Sequence, residues 1–129
     1  MHTQCLDGKF FCTAHSILEN KSELGLSDEV FRKVKDLKIS TKKDLIKAGA
    51  EIEISALDIM AKMWEDSADI TEINKLIDKK YTLKKESMKL LVSAFLSLRK
   101  MVSKDQLHKL CAIRKSNARP EEKEKSCCN

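Results

Sequence analysis

From residue 26 to residue 119 this chain contains no proline and a single glycine, Gly49. Tight turns depend on those two residue types, so a stretch this poor in both has little from which to build a meander of short strands. Long helices are the fold open to it. The rest of the composition agrees. Aromatic residues make up 5% and charged residues 35% of the 129 positions. That balance suits elongated helices with narrow apolar stripes rather than a globule with a deep aromatic centre. The length supports one domain with a core.

The first clear helix start is Leu26-Ser27-Asp28-Glu29-Val30-Phe31. Ser27 is a good N-cap, Asp28 and Glu29 place negative charge at the positive end of the helix dipole, and Leu26 and Phe31 flank the cap as a hydrophobic staple. Apolar residues then recur at helical spacing: Val30, Val34, Leu37, Leu45, Ala48, Ile52, Ile59 and Met63. A second strip of Ile46, Ala50, Ile54, Leu57, Ala61 and Trp64 widens that face. Residues 65–68 break the pattern as a short turn, and Asp69 caps a second helix, with Glu72 three residues on completing a capping box. Its stripe runs Ile70, Ile73, Ile77, Tyr81, Met88, Leu91, Phe95, Leu98 and Val102, with Leu76, Leu90 and Ala94 beside it. Two limbs of about 37 and 33 residues, roughly 50–55 Å each, joined by so short a turn must run antiparallel.

A third start follows at Val102-Ser103-Lys104-Asp105-Gln106-Leu107, where Ser103 and Gln106 form a capping box. It opens a short helix over residues 103–114, and another is expected over 10–20 with Phe11, Ala14, Ile17 and Leu18 inward. The expected fold is therefore all-α: a long antiparallel helical hairpin with short flanking helices at its open end. Its expected divisions are an N-terminal segment over 1–24, the hairpin domain over 25–114 and a disordered tail over 115–129. Charge is segregated along the rod. Residues 32–47 hold seven basic and two acidic side chains, residues 51–72 seven acidic and one basic. A basic base and an acidic tip favour two hairpins lying antiparallel. The wide stripe of the first limb exceeds what one partner helix covers, so a homodimer is expected.

A Leu-(Ser/Thr)-x-x-x element at the opening of a turn-linked helix pair, Leu26-Ser27-Asp28-Glu29-Val30, and a Val-Ser-x-x-Gln element near its close, Val102-Ser103-Lys104-Asp105-Gln106, resemble the paired Leu-Thr-x-x-Gln motifs of the Spy/CpxP family of periplasmic stress proteins. The likeness is closest to its heavy-metal-resistance branch, which includes zinc-resistance-associated proteins, and spans residues 23–114. The first copy departs from the pattern with Val30 where glutamine is expected, so its capping box is incomplete. The second has Val102 and Ser103 for leucine and threonine. The resemblance implies a cradle-shaped antiparallel dimer in the periplasm. It also implies ATP-independent chaperoning or metal-linked stress sensing, with unfolded clients or a sensor protein as partner.

Cys12-Thr13-Ala14-His15 and His108-Lys109-Leu110-Cys111 mirror one another. Residues three apart share a helix face, and the hairpin brings both flanking helices to its open end. Cys12, His15, His108 and Cys111 would satisfy a tetrahedral site for zinc or another divalent metal; otherwise Cys111 is a small core residue and both histidines are surface residues. No organic cofactor is expected. With five cysteines, at least one is unpaired, metal-bound or intermolecular. Cys5, Cys127 and Cys128 are extra soft-metal ligands, crosslinking thiols or bystanders. Lys79, Lys80, Lys84, Lys85 and Lys89 are either a solvated face or a positive strip that attracts acidic or unfolding clients. Met60, Met63, Met88 and Met101 read as stripe filler or as an adaptable client surface.

Enzymatic readings lack parts: there is no nucleotide-binding glycine loop, no serine elbow with a histidine, and no paired carboxylates in a cleft. No apolar run reaches the ~20 residues of a membrane-spanning helix. Nucleic acid is disfavoured because the net charge of +5 is interrupted by acidic stretches. The start Met1-His2-Thr3-Gln4-Cys5 has no basic end followed by an apolar core, so the periplasmic reading expects a trimmed leader. The rival reading is a cytoplasmic helical adaptor or coiled-coil interaction domain with no metal function.

Overall fold

The computed structural model describes residues 2–117, with side chains from residue 6 onward. The helices are α1 (His2–Glu19), α2 (Lys21–Leu24), α3 (Asp28–Met63), α4 (Ile70–Met101) and α5 (Lys104–Asn117), and no strand occurs among the described residues. The long helices α3 and α4, of 36 and 32 residues, pack against each other as the expected hairpin. At 1.5 Å per residue they extend about 54 and 48 Å. No described helix is long and apolar enough to cross a membrane.

Local chemistry sets the ends of the limbs. Ser27 Oγ accepts from Val30 N–H at 3.2 Å, capping α3. Asp69 caps α4 by accepting from Thr71 N–H at 2.9 Å. Glu72 does not complete the expected capping box: its carboxylate pairs with Lys62 across the turn at 3.5 Å, and Lys62 also meets Glu65 at 3.4 Å. With two carboxylates around it, the Lys62 ammonium is held above its ordinary pKa.

The core lies at the open end of the hairpin. It gathers Phe10, Ala14 and Ile17 of α1, Val34 of α3, Leu91, Ala94 and Leu98 of α4, Leu110 of α5, and the connecting Leu24, Leu26 and Val102. Helix α1 begins earlier than residue 10 and lies against both limbs, so the N-terminal segment shares the hairpin's core. Between α1 and α3 the chain makes a one-turn helix, α2, that the periodicity did not suggest. Gly25 ends it with φ +67, a left-handed conformation that favours glycine. Its N–H donates to Ser22 O, and the next N–H, of Leu26, donates to Lys21 O, the Schellman pattern.

The α3–α4 seam is less oily than its stripe suggested. Thr41, Ser55 and Ser87 are buried in it, and the Ser87 hydroxyl donates to Leu83 O at 3.0 Å. At the far end α5 reaches Asn117, three residues beyond the expected close. The rest of the expected tail, with Cys127 and Cys128, lies outside the described residues, as does the side chain of Cys5.

Candidate binding surfaces

The two motif copies meet at the open end, where their roles are structural. Leu26 and Val102, the leading residues, are both buried. In the second copy the capping box is complete: Ser103 N–H donates to Gln106 Oε1 at 2.9 Å and Gln106 N–H to Ser103 Oγ at 3.1 Å. Gln106 does one thing more. Its Nε2 donates to the Leu24 carbonyl at 3.1 Å, tying the start of α5 to the end of α2, just before the first motif. Sequence patterning gave the cap but not this cross-link, because a contact across 82 residues has no local signature. Lys21 pairs with Asp28 beside it and holds that carboxyl below its ordinary pKa.

Of the four expected metal ligands, Cys12 is free and exposed, while Cys111 is disulfide-bonded. His15 is exposed and its Nε2 lies 3.0 Å from Glu19 Oε1. His108 is exposed on α5, which packs on α2, whereas α1 lies against α3 and α4. No group of three or more His, Cys, Asp or Glu among the described residues is placed to hold a metal. A sulfur in a disulfide offers no thiolate, so in this state the four side chains do not form one site.

The five lysines of α4 do not share a face. Each residue turns the helix by about 100°, which separates Lys80 and Lys84 from Lys85 and Lys89. Lys80 and Lys84 flank Tyr81, their ammonium groups 5.8 and 5.2 Å from its ring centroid. Lys80 is half-buried, and Lys89 pairs with Glu86 at 3.8 Å.

The most distinctive surface lies on the outer half of the hairpin, beyond the core. There the second apolar strip stands in solvent, with Ile54 55%, Leu57 64% and Trp64 84% exposed, and Met60 beside it is 56% exposed. Helix α4 adds Ile70 at 66% and Tyr81 at 58%. Ile70 and Tyr81 were expected to pack in the α4 stripe. The actual inner face of α4 is rotated toward Ile73, Leu76, Leu83, Ser87 and Leu91, leaving Ile70, Ile77 and Tyr81 outside. Around this patch stand the acidic residues of 51–72. Large apolar side chains left in water over one stretch of a helix are candidates for contact with a partner.

The chain matches no protein-family description, no curated protein and no solved structure.

Proposed function

We propose that this protein is a non-enzymatic stress protein of the Spy/CpxP kind, which holds partly unfolded proteins without ATP on the outer half of its hairpin. The observation that carries the reading is the exposed strip from Ile54 to Trp64 on α3, with Ile70 and Tyr81 exposed on α4. A monomer gains nothing in stability from keeping these side chains in water. Their value lies in burial against something else, and methionine and tryptophan adapt to varied partners. The antiparallel dimer belongs to the same reading: a second copy covers part of the strip and sets each acidic tip beside a basic base. Lysines 79, 80, 84, 85 and 89 add positive charge on α4 that draws acidic clients to the rod.

The disulfide at Cys111 supports export, because disulfides persist in the periplasm and are rare in the cytosol. It also restricts the metal reading. Zinc coordination by Cys12, His15, His108 and Cys111 is open only to the reduced chain, and it makes metal response secondary to chaperoning.

The test is aggregation of a chemically unfolded client, followed by light scattering at sub-stoichiometric protein and without nucleotide. Suppression that weakens with salt is expected, since attraction to the lysines is screened beyond about 10 Å at 0.1 M. Equal suppression by an unrelated helical protein of similar charge would remove the case for a dedicated surface.

A further inference from the structure

A second feature lies away from the outer strip, on the side of α3 where α1 docks. An open groove of about 660 Å³ runs between the two helices, lined by Asp7, Gly8, Phe11, Lys38, Ile39, Lys42 and Lys43. That volume falls in the roughly 300–1,000 Å³ range of small-molecule sites. The floor is apolar: Ile39 is 44% exposed there, beside the half-buried Phe11 ring. Nothing lies within 4 Å of where a Cβ on Gly8 would stand, so the glycine leaves the groove unfilled.

The rim is cationic. Lys38, Lys42 and Lys43 line it, and none of them is ion-paired among the described residues. Lys42 instead lies over the Phe11 ring at 5.1 Å from its centroid. Three lysines line the groove against one carboxylate, Asp7. That carboxylate is itself unusual: its Oδ1 is buried and has no hydrogen-bond partner among the described residues. A buried acceptor without a donor is costly unless something supplies one.

We infer that the α1–α3 groove binds an acyl-chain anion whose head also carries an N–H, of the N-acyl amino acid class. The chain lies on Phe11 and Ile39 in the space above Gly8, the carboxylate meets the lysines, and the amide N–H donates to the Asp7 carboxylate where it lines the groove. This site is separate from the outer strip and does not depend on the chaperone reading. Its ligand stabilises the docking of α1, because it touches α1 and α3 together.

The test uses the full chain and N-dodecanoylglycine below its micellar concentration, with isothermal calorimetry and the shift in melting temperature as readouts. One-to-one binding is expected. Lys38→Gln/Lys42→Gln/Lys43→Gln should weaken it at least tenfold. Gly8→Leu, which fills the groove at an exposed helical position with open space around it, should weaken it at least fivefold while the circular dichroism stays that of the wild type. A Leu57→Ser/Trp64→Ser variant should bind as the wild type does, which separates this site from the outer strip. Affinity for dodecyltrimethylammonium equal to that for N-dodecanoylglycine, or undiminished binding by the Gly8 and lysine variants, would overturn the assignment. Sedimentation of the protein with phosphatidylglycerol vesicles, without binding of the free acid, would overturn it in favour of a lipid surface.

Discussion

Replacing Gln106 by alanine tests the joint at the open end. The side chain makes two bonds, one accepting from Ser103 N–H and one donating to Leu24 O. The first is exposed and worth about 0.5 kcal/mol as half of a capping box. The second is part-buried, so its loss costs about 1 kcal/mol for the bond and up to about 1 more for a carbonyl left poorly solvated. The total is about 1.5–2.5 kcal/mol. Ser103→Ala removes only the reciprocal cap and should cost about 1 kcal/mol. Urea unfolding followed by helicity resolves the two, since an m-value of about 1.5 kcal/mol/M turns the Gln106 loss into a midpoint shift of roughly 1–1.7 M. If Gln106→Ala costs no more than Ser103→Ala, the bond to Leu24 contributes nothing and the interlocking of α2 with α5 is wrong.

The two helix-associated glycines of the hairpin region should respond in opposite directions. Gly25→Ala puts a Cβ on a left-handed residue and should destabilise by about 1 kcal/mol, whereas Gly49→Ala, mid-helix in open space, should stabilise by about 0.5–1 kcal/mol, both read from unfolding midpoints. Because Lys21 lowers the Asp28 pKa in the folded chain, the pair's contribution is present above the ordinary value of 3.8 and is lost as pH falls through the lowered one. Lys21→Met should therefore reduce the acid sensitivity of melting below pH 3.8, by a small amount for so exposed a pair. Zinc should leave the melting temperature of the oxidised protein unchanged and raise it only after reduction, an increase absent in Cys12→Ser/Cys111→Ser; a zinc shift in the oxidised wild type would contradict the restriction that the Cys111 disulfide imposes.

The hairpin was legible because its signals are local and redundant. Scarce breakers, the Ser27 and Asp69 caps and a 3.6-residue stripe all point to the same two helices. The seam was only partly legible. Thr41, Ser55 and Ser87 sit at stripe spacing yet are polar, so apolar counting passed over them and rotated the face of α4 toward Ile70 and Tyr81. Helix α2 escaped because one turn shows no period, although Leu24-Gly25 before an N-cap is the mark of a helix close. Glu72 could serve a cap or an ion pair, and which it does depends on Lys62 being folded back across the turn. The groove beneath α1 had no signal at all, since its lysines lie on α3 and its glycine and carboxylate on α1.

In the proposed function, the outer strip is the surface on which other proteins are held. Trp64 is the only tryptophan in the chain and is 84% exposed at the tip, so its emission reports that surface alone. Titration of a tryptophan-free unfolded client into the protein, at a concentration where dilution no longer changes the emission, should move the Trp64 maximum to shorter wavelength and protect it from iodide quenching. The shift should saturate over the same range that suppresses aggregation. Suppression of aggregation with Trp64 emission and quenching unchanged would contradict the account.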